Sequence, residues 1–304
     1  MKLLRSLAAW AAGISLALSP AGAQAPAAPP TAETPPPGAV AGPALWKVSD
    51  ADTTVYLFGT VHALPKDKVW YDARIARAFG SAGELVTEID TGELGTSAQA
   101  LAKEGMLPQG QALRPMMKPE DRQQYEAAMV ALGLPVDALD RYQPWFAAMT
   151  LSLLPLLKTG YDTQSGVELS LAAQTGSRKH SGLETVAQQI SLFETMPTDE
   201  QLVFLDNTVE DLPRASASLD AMVAAWLKGD ADQLAHLLNA ELTDAQLRDR
   251  LLTQRNANWA QWVQHRLEQP GTVFVAVGAG HLAGEGSVQD QLRKLGLKVE
   301  RVWQ

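Results

Sequence analysis

The sequence predicts an α/β fold in which a mixed, mostly parallel sheet carries its site at one edge and a large helical insertion covers that edge. Three observations predict it. Short runs of β-branched and aromatic residues bounded by turn residues fall near residues 45–58, 84–90, 273–277 and 298–302, a strand pattern concentrated towards the two ends of one domain. Between about residues 96 and 267 the pattern changes to helix-length segments punctuated by Gly and Pro. Two strands run into the same ending, Gly59-Thr60-Val61-His62 and Gly278-Ala279-Gly280-His281. Ligand sites in parallel sheets form beyond the carboxyl ends of strands, so the repeated ending marks the functional edge.

The opening Met1-Lys2-Leu3-Leu4-Arg5, the apolar run to Leu18 and the small residues Ala21-Gly22-Ala23 have the form of a secretory signal peptide, residues 1–23. Cleavage after Ala23 is favoured over Ala25, because Pro26 would follow the second bond. The mature chain is expected to be exported to the periplasm, with no stable membrane insertion after cleavage. Residues 24–43 are rich in Pro and Ala and read as a disordered tether. Residues 44–304, about 260 positions, suffice for one α/β domain. The chain has no cysteine, which excludes disulfides, a lipid-modified cysteine and a thiolate metal site. Its net charge of −9, with no basic cluster interleaved with aromatics, excludes a nucleic-acid partner.

In chain order, residues 45–49 and 53–58 flank Asp50-Ala51-Asp52 and read as a β-hairpin. Pro65 ends the loop after His62, and residues 71–79 read as a short helix. In Glu84-Leu85-Val86-Thr87-Glu88-Ile89-Asp90, strand alternation puts Glu84 and Glu88 on one face, about 13 Å apart at roughly 3.3 Å per residue. They are too far apart to share a metal, and Glu88 is the one near the strand's carboxyl end. Helices are expected over 119–132, 142–158 and 167–174, with Asp140, Arg141 and Gln143 as start residues near the second. A short strand ending at Glu184, with Thr185 capping a helix over 186–194, sets another carboxylate at a strand end. Further helices follow over 200–209, 215–228, 230–238 and, longest, 243–267, until Pro270-Gly271 introduces the strand before His281. A helix over 288–295 and a strand over 298–302 close the chain.

Two histidines after equivalent Gly-x-x turns, joined by Glu88 and Glu184, form a donor set suited to a divalent ion of Zn, Mn, Co or Fe. The metal ligands expected are therefore His62, His281, Glu88 and Glu184. The catalytic set is a spare carboxylate of Glu88 and Glu184, or a histidine, for proton movement, Arg255 to stabilise developing negative charge, and Asn256 as an additional donor. Arg255 also stands one helical turn before Trp259, a spacing that would equally lay an arginine over an aromatic. His180, His236 and His265 read as structural or surface residues. Gly278-x-Gly280-x-x-x-Gly284 has the wrong spacing for a dinucleotide fingerprint. There is no Gly-x-Ser-x-Gly, Walker or His-Glu-x-x-His motif.

The segments Leu45-Trp46-Lys47-Val48, Tyr56-Leu57-Phe58-Gly59-Thr60-Val61-His62-Ala63-Leu64-Pro65, Glu84 to Asp90, Gly182-Leu183-Glu184-Thr185, Arg255-Asn256-Ala257-Asn258-Trp259 and Val277 to Gly284 together resemble the TraB/GumN family, related to the Tiki proteins. The resemblance runs in order from about Leu45 to Val302. Animal Tiki members are membrane-tethered metalloproteases that use manganese or cobalt. The resemblance thus implies a metal-dependent peptidase acting on peptide or protein substrates, with His62, Glu88, Glu184, Arg255 and His281 on matching motif positions. Unlike the Tiki proteins, this chain is expected to lack a membrane anchor. Two competing readings use the same pocket without turnover: a periplasmic binding protein for a metal complex or haem-like ligand, and a partner-binding scaffold with a vestigial site.

Overall fold

The computed structural model describes residues 42–302, apart from 91, 93, 242 and 243. The expected signal peptide (1–23) and all but the last two residues of the expected tether (24–43) lie outside the described residues. The elements in order are β1 (Leu45–Ser49), β2 (Thr53–Thr60), α1 (Ala73–Ser81), β3 (Glu84–Thr87), α2 (Leu94–Glu104), α3 (Pro119–Ala131), α4 (Pro144–Lys158), α5 (Val167–Ala173), β4 (Lys179–Gly182), α6 (Val186–Glu194), α7 (Thr198–Asp211), α8 (Ala215–Leu227), α9 (Ala231–Glu241), α10 (Ala245–Arg248), α11 (Gln254–Arg266), β5 (Gly271–Gly278), α12 (Val288–Lys294) and β6 (Val299–Arg301). A π-helical turn, Asp249–Thr253, joins α10 to α11, and a 3₁₀ turn, Ala279–Leu282, follows β5.

The strands form one sheet in the order β4-β3-β5-β2-β1-β6. The pairings of β4 with β3, β3 with β5 and β5 with β2 are parallel, while β1 is antiparallel to both neighbours. This is the mixed, mostly parallel sheet expected. Asp50 explains the hairpin: its carboxylate accepts from the backbone N–H groups of Asp52 and Thr53, the local bonding that makes Asp a turn residue. The two central strands are buried on both faces. Phe58, Phe274 and Ala276 pack against α1, α5 and α8 on one side, and Val55, Leu57, Val273 and Val275 pack against α11 and α12 on the other. Two-sided burial is why these strands are continuous apolar runs rather than alternating ones. A separate core among α3, α4, α6 and α7 is built on Tyr125, Trp145, Phe193 and Phe204, so the helical insertion has an interior of its own.

Three local expectations change. The strand at Glu84 stops at Thr87, where the Thr87 hydroxyl donates to the Ile89 carbonyl at 2.6 Å and turns the chain. Asp140 does not begin a helix: its carboxylate holds Arg114 at 2.7 Å, and Gln143 takes the N-cap of α4 without a side-chain bond. The helix expected over 243–267 is interrupted by the π turn, a wider ring that periodicity alone does not disclose.

Candidate functional site

Backbone pairing brings the carboxylates together. Beyond the last paired residues of β3 and β4, Leu183 N–H donates to the Thr87 carbonyl at 2.9 Å and Glu184 N–H to the Glu88 carbonyl at 2.8 Å. Glu88 and Glu184 therefore leave the sheet side by side. Glu88 Oε1 accepts from the Gly278 N–H at 2.8 Å, which ties it to the end of β5.

The histidines arrive from adjacent strands, since β2 and β5 are parallel neighbours. Their Gly-x-x-His turns are one residue out of register: Gly278 pairs with Thr60, and Gly59 pairs with Val277. His281 sits on the 3₁₀ turn, whereas His62 sits at a bend in the loop after β2. Gly278 is what lets them meet. A Cβ there would stand 3.0 Å from Glu88 Oε1, 3.5 Å from His62 Nε2 and 3.6 Å from His281 Cδ2, so all three side chains border the hollow left by one missing methyl group.

Each imidazole is held from behind. His62 Nδ1 lies 2.7 Å from Glu168 Oε1, and the Thr60 hydroxyl donates to the same oxygen. Glu168 stands in the first turn of α5, whose start is pressed on the His62 loop: Val167 N–H donates to the Val61 carbonyl at 3.0 Å, and a Cβ on Gly166 would meet the His62 carbonyl at 2.5 Å. His281 Nδ1 lies 2.6 Å from Asn256 Oδ1, and Asn256 Nδ2 donates to the Gly286 carbonyl at 2.9 Å. An oxygen at Nδ1 fixes the orientation of each ring and turns Nε2 towards the site, the arrangement that supports metal-bound histidines. Asn256, expected as a donor to substrate, faces His281.

Arg255 is the site's permanent cation. It donates to Glu88 Oε2 at 2.6 Å and to Glu184 at 2.8 and 2.9 Å, and its Nη1 meets His281 Nε2 at 3.1 Å and the Leu251 carbonyl at 3.1 Å. Its guanidinium also lies 4.8 Å from the Trp259 ring, whose Nε1 donates to Glu184 at 3.0 Å. Gln189 Nε2 completes the carboxylate bonding, 3.1 Å from both Glu88 and Glu184.

The charges follow from these contacts. Burial alone would lower His62, but Glu168 outweighs it, with help from Glu88, and raises the pKa to about 9. Burial would raise Glu88, yet Arg255 leads the charges that bring it down to about 2. Burial and then Arg255 lower His281 to about 3, so that ring is neutral. Carboxylates oppose the burial of Arg255 and hold its pKa above the usual arginine range. The other histidines stand apart: His180 contacts the Thr87 hydroxyl at 2.9 Å, and His265 contacts a carbonyl of its own helix at 2.8 Å.

The donor chemistry fits a divalent cation: two oriented imidazole nitrogens and an ionised carboxylate around one hollow, with Glu184 alongside. As arranged, no three His, Asp or Glu side chains among the described residues stand in metal-ligating geometry, and the Arg255 guanidinium lies against Glu88, Glu184 and His281. Glu168 and Gln189 were not legible as site residues. The sole signal for Glu168 was its place in the first turn of the helix expected over 167–174, and Gln189 had only its position in the helix capped by Thr185.

Fold and contacts define an α/β protein with a buried histidine, carboxylate and arginine cluster at the carboxyl ends of parallel strands. The chain belongs to the TraB/PrgY/gumN family, whose model matches residues 44–301. It is 26% identical to an uncharacterized protein of Treponema pallidum, over 82% of this chain and 80% of that one, and 27% identical to the uncharacterized protein YbaP of Escherichia coli, over 78% and 87%. It is also 29% identical to the human metalloprotease TIKI1, over 84% of this chain but 61% of the human protein's length. No solved structure matches.

Proposed function

We propose that this chain is an exported, metal-dependent hydrolase that cleaves peptide bonds. The observation that carries the reading is the convergence of His62 and His281 on the hollow at Gly278 beside Glu88, each ring backed by an oxygen at Nδ1. The name of the TIKI1 relatives supports a peptidase. The form of residues 1–23 supports export to the periplasm.

His62, His281, Glu88 and Glu184 would hold a divalent ion, with manganese or cobalt as the first candidates. Bound there, such an ion supplies Lewis-acid polarisation of a carbonyl and an acidified water. Arg255 stays charged throughout and steadies negative charge on the substrate oxygen. Glu168 and Asn256 keep the two rings in place. Both carboxylates accept from Arg255, and proton movement is assigned to the Glu88 and Glu184 pair as a unit. The net reaction adds water across an amide and yields a carboxylate and an amine.

Digestion of a peptide library by the full chain, with and without manganese, cobalt or zinc, tests the reading. Metal-stimulated cleavage lost in Glu184→Gln supports it. Tight uptake of a metal complex or haem-like ligand without cleavage would favour a binding protein, and neither behaviour would favour a scaffold.

A further inference from the structure

Every N–H of Arg255 already has a partner. A guanidinium carries five of them, and here Nε donates to Glu184, Nη2 to Glu88 and Glu184, and Nη1 to the Leu251 carbonyl and to His281 Nε2. None is left for a substrate oxygen unless one of these bonds is given up.

The bond to His281 is the one a metal ion contests. Asn256 Nδ2 donates to the Gly286 carbonyl, which only accepts, so the amide presents Oδ1 to His281 Nδ1. The bonding network thus puts the ring's proton on Nδ1 and the lone pair on Nε2. Arginine has no acceptor, so at 3.1 Å Nη1 is the donor and Nε2 the acceptor. A metal–imidazole bond would use that same lone pair. Contact of Nε2 with Arg255 and contact with a metal ion therefore exclude each other.

Glu184 gives a second, independent observation. Its Oε1 accepts from Arg255 Nε and Trp259 Nε1, and its Oε2 from Arg255 Nη2 and Gln189 Nε2. A carboxylate has about four acceptor sites, so those of Glu184 are taken, half of them by the arginine. One guanidinium thus covers the ligating atoms of both His281 and Glu184, and the Leu251 carbonyl and the Trp259 ring hold it there. Glu88 Oε1 and His62 Nε2 border the Gly278 hollow instead.

We propose that Arg255 and the metal ion compete for His281 Nε2, so that loading the site lifts Nη1 off the histidine and frees one N–H of the arginine. The proposal rests on the metal-dependent reading and names what governs metal entry at that site.

The test is calorimetry of manganese and zinc binding to the full chain. Arg255→Lys keeps the charge, but its single nitrogen cannot span both carboxylates and His281 together. It should bind manganese at least about tenfold more tightly than wild type, the worth of one charge-assisted hydrogen bond. An arginine acting through its charge alone would leave the affinity unchanged. Wild type gives a reading that does not depend on a variant's folding. With isotope-labelled arginine, NMR should show the Nη1 protons held by His281 and Leu251 exchanging with water at least about tenfold faster once zinc is bound.

Equal or weaker manganese binding by the folded Lys variant, or unchanged exchange in zinc-bound wild type, overturns the proposal and leaves the metal-dependent reading standing. No metal bound by wild type or by the folded variant overturns both. Metal bound without peptide cleavage removes the peptidase reading alone, and the affinity ratio still decides this one.

Discussion

Glu168 Oε1 stands 2.7 Å from His62 Nδ1, so the histidine at the end of β2 owes its charge to the first turn of α5. Glu168→Gln keeps the shape and removes that charge. The His62 pKa should fall from about 9 by at least about one unit, read by NMR titration of the metal-free protein. An unchanged value would assign the shift to Glu88 instead.

The raised pKa also fixes a sign for stability. His62 goes from 6.5 to about 9 on folding, so its contribution is complete below pH 6.5 and is lost as pH rises through 9. Metal-free protein should lose stability over that window by up to about 1.4 kcal/mol per pH unit, and His62→Gln should flatten the slope. Urea melts at pH 6.5, 8 and 9.5 check it, and equal midpoints in wild type refute it. The acid side is a poorer test. Burial raises Asp206 to about 6 and lowers His281 to about 3, and these act in opposite directions there.

If His62 and His281 share one ion, either single Ala substitution should remove most bound manganese or cobalt from loaded, desalted protein. The double substitution should do little more, as expected of residues acting as a unit. His236→Ala is the control. Full retention in both single variants, folded by circular dichroism, would rule out shared ligation.

Phe274 is fully buried in β5, its ring centroid 5.6 Å from that of Phe58 and 5.4 Å from that of Phe79. Phe274→Ala should cost about 3–5 kcal/mol, read as a lower urea midpoint. A loss below about 1 kcal/mol would mean that the sheet collapses around the gap.

The hairpin, the parallel strands and several helix starts could be read because each rests on local chemistry: Asp50 in its turn, Thr185 at its cap, and doubly buried apolar runs. The meeting of His62, His281, Glu88, Glu184 and Arg255 was suggested by the doubled Gly-x-x-His and by carboxylates at strand ends. What stayed hidden depends on packing between elements distant in sequence. Glu168 reaches His62 only because Gly166 allows α5 to touch the loop, and Asn256 faces His281 only because α11 packs along β5. The π turn leaves no compositional mark in Asp249-Arg250-Leu251-Leu252-Thr253.

That π turn makes the site sensitive to residue count. A π turn amounts to one extra residue within an α-helix, and each α-helical residue advances about 100° around the axis. Deleting one position between Asp249 and Thr253 would leave an ordinary helix of unchanged polarity, yet Arg255 would be swung away from Glu88 and Glu184 or Trp259 pulled out of the core. Lineages that keep these contacts should accept varied residues in the segment while preserving its length, so an alignment gap there would mark loss of the arginine's role even where the arginine itself is retained.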